Sequence, residues 1–270
     1  MSIRAFRPSD ASAVAALITP IFPADVAAFA AYAQPGTARH LVERARGTES
    51  PSTADVFVAE EECGLVGCVD LHRTEDAAHI AYLAVARDYR SSGLGTALLR
   101  TALTRTPQPR IVSLDVFADN SGAVRFYRRL GFVEVGRSSW IRRPLPPSDG
   151  RLPLWVLQAT PAEERRQQIF GFSQMRALRD SEVVTIGRVG ASAIRLPCLT
   201  ALYDDELLGS IGPYLPDARN VLCIETSPVV PLRKNAVAVS VGIRMEAPLS
   251  RLDKWLTHGP LEPGPGPRQP

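Results

Sequence analysis

Arg90-Ser91-Ser92-Gly93-Leu94-Gly95 decides how this chain is read. The run before it, His79-Ile80-Ala81-Tyr82-Leu83-Ala84-Val85, is apolar and predicts a strand. The run after it, Thr96-Ala97-Leu98-Leu99-Arg100-Thr101-Ala102-Leu103, predicts a helix. A strand, a basic glycine loop and a helix start together make a place to hold phosphate. Glycines let the backbone take positive φ and come close to a ligand. The free N–H groups and dipole of a helix N-terminus favour an anion, and an arginine adds a forked cation that suits phosphate oxygens.

On the N-terminal side, Ile3 to Phe6 predicts a first strand, and Ser9-Asp10 offers a cap to a helix over Ala11 to Ile18. Pro20 and Pro23 break that helix, and Ala24 to about Arg46 reads as mostly helical with an interruption at Pro35-Gly36. Val56 to Ala59 and Leu65 to Leu71 flank a Glu-Cys-Gly turn and predict a hairpin. Beyond the loop, Ile111 to Phe117 is a strand, and Asn120 can cap a helix from Gly122 to Leu130 that Gly131 ends. Further strands are expected over Phe132 to Ile141 and Leu152 to Leu157. The predicted fold is α/β: a mixed, mainly antiparallel sheet flanked by helices, closing near Thr160, followed by a smaller α/β domain.

That second part, residues 161–258, reads as a small α+β unit. Its expected elements are a helix over Pro161 to Leu178, strands at Val183 to Ile186, Ala193 to Leu196, Val221 to Ile224 and Ala236 to Ile243, helical stretches over Leu199 to Leu215, and a short helix at Leu249 to Leu256. Gly187-Arg188-Val189-Gly190 reads as a turn, no internal repeat is visible, and the Pro/Gly-rich tail 259–270 is expected to be disordered.

The 270 residues are 45% hydrophobic and 22% charged, a globular composition with room for two ordinary domains. No apolar stretch approaches the roughly 18 residues that cross a membrane. The charged start Met1-Ser2-Ile3-Arg4 lacks a signal core, so a cytoplasmic location is expected. The net charge of +3 is too mild to argue for nucleic acid. Arg125, Arg128, Arg129, Arg137, Arg142 and Arg143 read as a solvated face. Cys63, Cys68, Cys198 and Cys223 have no metal-ligand spacing and read as reduced thiols.

The loop and the helix together carry a resemblance. Leu83-Ala84-Val85, Arg90 through Gly95, and Asn120 through Phe126-Tyr127-Arg128-Arg129-Leu130-Gly131-Phe132 resemble the GCN5-related N-acetyltransferase (GNAT) family, over Ile3 to about Thr160. The resemblance implies acetyl-CoA as acyl donor. It places Arg90, Ser91, Ser92, Gly93, Leu94, Gly95 and Thr96 around the pyrophosphate. It places the backbone of Leu83 and Val85 beside the pantetheine arm, with the Val85 amide as donor to the developing oxyanion, and it sets Asn120 on the cofactor arm. Tyr127 matches the tyrosine that faces the CoA sulfur and would protonate the leaving thiolate. Where some members carry a glutamate base, this chain has His79, whose ordinary pKa suits a base near neutral pH. Water remains the alternative base, and Glu75 and Asp76 are weaker candidates. His40, His72 and His258 read as structural.

The expected reaction is transfer of an acetyl group to a primary amine of a small molecule, with Thr19 to Asp25 shaping the acceptor site. A protein N-terminus, a lysine or an aminoacyl-tRNA is an alternative acceptor. Two other classes stay open: an acyl-CoA sensor without turnover, and a bifunctional enzyme with its own chemistry at Cys198, Glu225 or Asp204-Asp205-Glu206. The bland reading of the second part is a lid or a homodimerisation domain.

Overall fold

In a computed structural model of the chain, the structure describes residues 1–47, 53–106, 108–146, 152–226 and 232–256. β1 (Ser2–Ala5) leads to α1 (Ala11–Ile18), which buries Ala11, Val14 and Ile18 at helical spacing. Asp10, just before α1, is held by both ends of the Arg4 guanidinium at 2.7 and 3.0 Å. The Ala-rich stretch that follows forms two short α-helices, α2 (Ala24–Ala27) and α3 (Thr37–Ala45), with a 3-10 turn at Ala31–Ala33 between them. Proline and glycine interrupt backbone hydrogen bonding often enough to stop a longer one.

β2 (Thr53–Glu61), β3 (Gly64–Arg73) and β4 (Ala77–Val85) form a meander, and β1 pairs antiparallel with β2. The chain crosses through α4 (Leu94–Arg105) to β5 (Ile111–Phe117), which lies parallel to β4. Then α5 (Ser121–Leu130) leads to β6 (Val133–Pro144).

β7 (Val156–Gln158) is shorter than the strand expected over Leu152 to Leu157, and α6 (Pro161–Phe170) follows it, capped by Thr160. The helix expected to reach Leu178 ends eight residues earlier. Gly171 takes φ +78°, a left-handed conformation that closes a helix. From there β8 (Phe172–Arg179) buries Ser173, Met175 and Ala177, the two-residue period of a strand. Gly187-Arg188-Val189, expected as a turn, lies inside β9 (Glu182–Val189). β10 (Ala193–Leu196), α7 (Leu199–Tyr203), α8 (Asp205–Tyr214), β11 (Asn220–Glu225), β12 (Val237–Pro248) and α9 (Leu249–Leu256) complete the path.

The chain forms two units that do not follow the boundary expected near Thr160. One contains residues 1–21, 40–136 and the chain from Ile243 onward; the other contains 22–39 and 137–242. The second part thus gives up its last strand from Ile243 and gains Phe22 to Arg39. The tail 259–270 and His258 lie outside the described residues.

In the first unit, Ile243, Met245 and Ala247 of β12 and Leu249 and Leu252 of α9 share a core with α4 and the β2–β5 strands. β12 neighbours β5, and the Leu249 N–H donates to the Arg110 carbonyl at 3.0 Å. In the second unit β7, β8, β9 and β10 pair antiparallel in order, β10 runs parallel to β11, and β6 pairs antiparallel with β11 from Ser139 to Pro144. This repeats the β1-to-β5 pairing order of the first unit. A topological repeat therefore exists where the sequence shows none, and the first unit takes its closing strand from the end of the second half of the chain.

Candidate active site

The site in the first unit begins with a missing hydrogen-bond ladder. β4 pairs with β5 from Ala77↔Ile111 to Ile80↔Leu114 and no further. On its other side, β4 pairs Leu71↔Ile80 and then Asp70↔Tyr82 with β3, which leaves Ala81 as an extra residue. A bulge of this kind bends a strand and raises its twist, so the arm from Ala81 to Val85 parts from β5. The Ala86 N–H donates to the Val66 carbonyl at 2.8 Å. Antiparallel pairs alternate in their bonding, so the backbones of Val85 and Leu83 face away from β3, toward the open side. The Val85 carbonyl accepts from Arg90 Nε at 3.2 Å.

The loop after this arm has the geometry its sequence dictates. Ser91 takes φ +63° and Gly93 φ +86°. Gly93 is the N-cap of α4 and gives the helix no side-chain cap. The first N–H groups of α4, at Leu94, Gly95 and Thr96, therefore sit at an uncapped helix terminus, where an anion is favoured. The Ser92 hydroxyl donates to the Tyr89 carbonyl at 2.7 Å and tightens the turn. Arg90 spends one donor on Val85; its guanidinium has five. Tyr89 adds a tie that sequence reading missed: its hydroxyl lies 3.3 Å from Cys63 Sγ in the β2–β3 turn. An acyl-CoA fits these features, with an extended strand edge for an amide-bearing arm and a cationic, N–H-rich loop for a pyrophosphate.

Tyr127 is 7% exposed and meets Phe126 and Phe132 edge-on at 5.1 and 5.6 Å. Burial pushes its phenol well above the ordinary range. Such a group keeps its proton at physiological pH. Asn120 serves as a helix cap: its Oδ1 accepts from the Ala123 N–H at 3.1 Å, leaving the side-chain NH2 free of that role.

His79 belongs to a polar row on the sheet face opposite the α4 core. His72, His79 and Ser113 are register partners across β3, β4 and β5. His79 Nδ1 is 3.0 Å from the Ser113 hydroxyl, and Nε2 is 3.8 Å from Asp115 Oδ2. Asp115 Oδ1 accepts from Arg244 Nε of β12 at 2.8 Å. At the other end, buried Asp70 accepts two bonds from Arg44 at 2.9 and 3.0 Å, and His72 Nε2 lies 3.5 Å from it. Burial lowers the His79 pKa below the ordinary imidazole value; Asp115 opposes that shift and Arg244 adds to it. Asp76 is turned to Arg110 at 3.4 Å, and Glu75 is exposed.

The other sequence candidates fall elsewhere. Thr19 to Asp25 divides between the units after Ile21. Arg143, expected on a solvated face, is 6% exposed in the second unit and donates to the Leu202 carbonyl at 2.9 Å and to Asp205 at 2.6 Å. Cys63 and Cys198 are exposed free thiols; Cys68 and Cys223 are buried, their thiols pushed up to about 12. The second unit has a cavity of about 730 Å³ lined by Gln34, Gln167, Arg188, Tyr214 and Asp217 among others, none of them a sequence-stated site residue. Among the described residues no helix is long and apolar enough to cross a membrane.

The model of the acetyltransferase (GNAT) family matches residues 21–132. An uncharacterized N-acetyltransferase of Methanocaldococcus jannaschii is 43% identical over 87 residues, covering 29% of this chain and 38% of that protein. N-alpha-acetyltransferase 30 of Schizosaccharomyces pombe is 34% identical over 88 residues, covering 30% and 59%. An N-alpha-acetyltransferase of Sulfurisphaera tokodaii is 40% identical over 97 residues, covering 30% and 58%. The chain thus spans 38 to 59% of the length of the curated relatives it matches. Among solved structures, a tandem GNAT protein from the clavulanic acid biosynthesis pathway aligns over 92% of this chain and 98% of its own, with a TM-score of 0.64 and 14% identity. A GCN5-related N-acetyltransferase from Sphaerobacter thermophilus aligns over 92% and 95%, at 0.58 and 17%. Those two likenesses are of fold alone and extend over both units; residues 21–132 match the GNAT acetyltransferase family model, and the curated relatives similar to this chain are named N-acetyltransferases and N-alpha-acetyltransferases.

Proposed function

We propose that the chain is an N-acetyltransferase that takes its acyl group from acetyl-CoA and delivers it to a primary amine of a small molecule. The observation that carries the reading is the β4 arm that leaves β5 at Ile80 and runs into a glycine-capped helix start. When bound, acetyl-CoA supplies an activated thioester. The α4 N-terminus and Arg90 hold its pyrophosphate, and Leu83 and Val85 bind its amide-bearing arm as an added strand edge. The Val85 N–H donates to the carbonyl oxygen as charge builds there. His79 accepts the amine proton, and Tyr127 gives one to the sulfur.

A second reading, the N-terminal α-amine of a peptide as acceptor, is favoured by the two relatives named N-alpha-acetyltransferase. The test supplies acetyl-CoA with a panel of small amines and short peptides and follows free thiol release. Turnover with small amines supports the first reading, and turnover confined to peptides supports the second. Tight acetyl-CoA binding with no turnover on either supports a sensor and sinks both.

The base makes a signed prediction. His79 works only when neutral, and burial favours its neutral form. The rate should therefore hold as pH falls past the ordinary imidazole value of about 6.5 and be lost only below it. A rate that ignores His79→Gln across that range leaves water as the base.

A further inference from the structure

We propose that Asp115, clamped by Arg244 of β12, is the positioning residue for His79, and that the opposed charges of this pair set the pH at which His79 can take the amine proton. The inference rests on the reading of His79 as base. Three features of the first unit support it.

The Ser113 hydroxyl engages His79 Nδ1 at 3.0 Å, so Nε2 is the nitrogen left to work. Asp115 stands two residues beyond Ser113 on β5 and therefore on the same face. Its Oδ2 is 3.8 Å from His79 Nε2, outside direct hydrogen bonding but inside strong charge interaction. The third feature is the clamp itself. Arg244 Nε holds the other carboxylate oxygen at 2.8 Å, although Arg244 is 129 residues away along the chain. The donor loop and His79 come from the first half of the sequence; the residue that fixes Asp115 arrives on the last strand.

The charges around His79 come from several elements. Asp115 and Arg244 face it from β5 and β12, and His72 and Asp70 face it from β3. Asp70 is paired to Arg44 of α3. α1, which packs on β3 and β4, has the sequence ASAVAALI and adds no charge. Asp115 is thus the nearest anion whose partner lies outside the family-matched residues 21–132.

In the transfer, the amine nitrogen forms a bond to the acyl carbon as the carbon–sulfur bond breaks. One proton moves from nitrogen to His79 Nε2 and then to solvent. Tyr127 gives one to sulfur and regains one from solvent. Asp115 favours the protonated imidazole and Arg244 disfavours it, so the two single variants move the acid limb of the pH–rate profile in opposite directions.

The experiment uses the full chain. Asp115→Asn should carry the limb to lower pH, and Arg244→Gln should carry it to higher pH, each by roughly half a pH unit for half-exposed partners. Arg244→Lys should restore the position of the limb. Plateau kcat should fall about tenfold in Asp115→Asn with the KM for acetyl-CoA unchanged. NMR titration of the His79 ring, read without turnover, should show the same two opposed shifts. Limbs that stay put, or move together, overturn the positioning role. A limb that survives His79→Gln instead overturns the base reading on which it rests.

Discussion

The two units share one pairing order and differ at the joint after the fourth strand of each. In the first, the β4–β5 ladder stops at Ile80↔Leu114 and a bulge at Ala81 turns the rest of β4 away. In the second, all four residues of β10 pair with β11, from Ala193↔Asn220 to Leu196↔Cys223, and no free arm is left. The first joint runs through Gly93 at φ +86° into a 12-residue helix. The second runs through Cys198 at φ −159° into a five-residue helix, too short to gather much of a dipole. Topology alone therefore does not open a strand edge beside a helix start. One inserted residue, one glycine and two more turns of helix separate an open strand arm with a glycine-led helix start from a plain crossover.

The largest effect that sharpens the contrast is structural. Each unit has an arginine–aspartate pair, but with opposite burial. Arg44→Met in the first unit strands Asp70, which is 1% exposed, and should cost about 3–5 kcal/mol. Arg143→Met in the second leaves Asp205 exposed and still bound by Lys234 at 2.6 Å, and should cost only about 1–2 kcal/mol. Chemical unfolding measures both, and equal losses would undo the distinction. Next comes Tyr127→Phe, expected to lower kcat about 100-fold with acetyl-CoA affinity unchanged. Tyr203→Phe in the second unit, whose hydroxyl accepts a 3.4 Å bond from the Arg233 N–H, should leave kcat alone.

Gly93→Val forces a branched side chain into left-handed backbone at about 1–2 kcal/mol, so acetyl-CoA should bind roughly 5- to 30-fold more weakly. Cys198→Ala should change nothing, and calorimetry should count one acetyl-CoA per chain. A count of two breaks the comparison outright. The smallest effect concerns Asn120. Asn120→Asp keeps the capping oxygen but loses the NH2 group; about threefold weaker acetyl-CoA binding with unchanged Tm is expected. No change at all would reduce Asn120 to a cap.

What the sequence reveals of this fold follows from how far each signal reaches. The loop from Arg90 to Gly95 is legible because its glycines, its arginine and the helix start are neighbours in the chain. The α5 cap and the Tyr127 core face are legible for the same reason. The second unit is not. Phe172 to Arg179 places Ser173 and Ala177 inward and Gln174 and Arg176 outward, a weak contrast that reads as readily as helix, and the stop at Gly171 is easily passed over. The repeat hides because it lives in strand pairing, with no repeated loop to mark it. On β5 the spacing Ser113-x-Asp115 would have placed a carboxylate beside His79, had His79 and Ser113 been known to be partners. Nothing near Arg244 in the sequence points to Asp115; only the sheet brings them together.

The late arrival of the first unit's closing strand also sets an order of events during synthesis. Domains emerging from a ribosome usually fold as units, the first before the second is made. Here the first unit's core is unfinished until Ile243, Met245 and Ala247 have been translated. A nascent chain that has released every residue of the donor loop still lacks the strand that fills its core. At about 5–20 residues per second that interval is long enough for an open sheet edge to meet a wrong partner. Ribosome-bound chains stalled before and after β12 would show when the first unit becomes resistant to protease, and the expected moment is after the strand emerges.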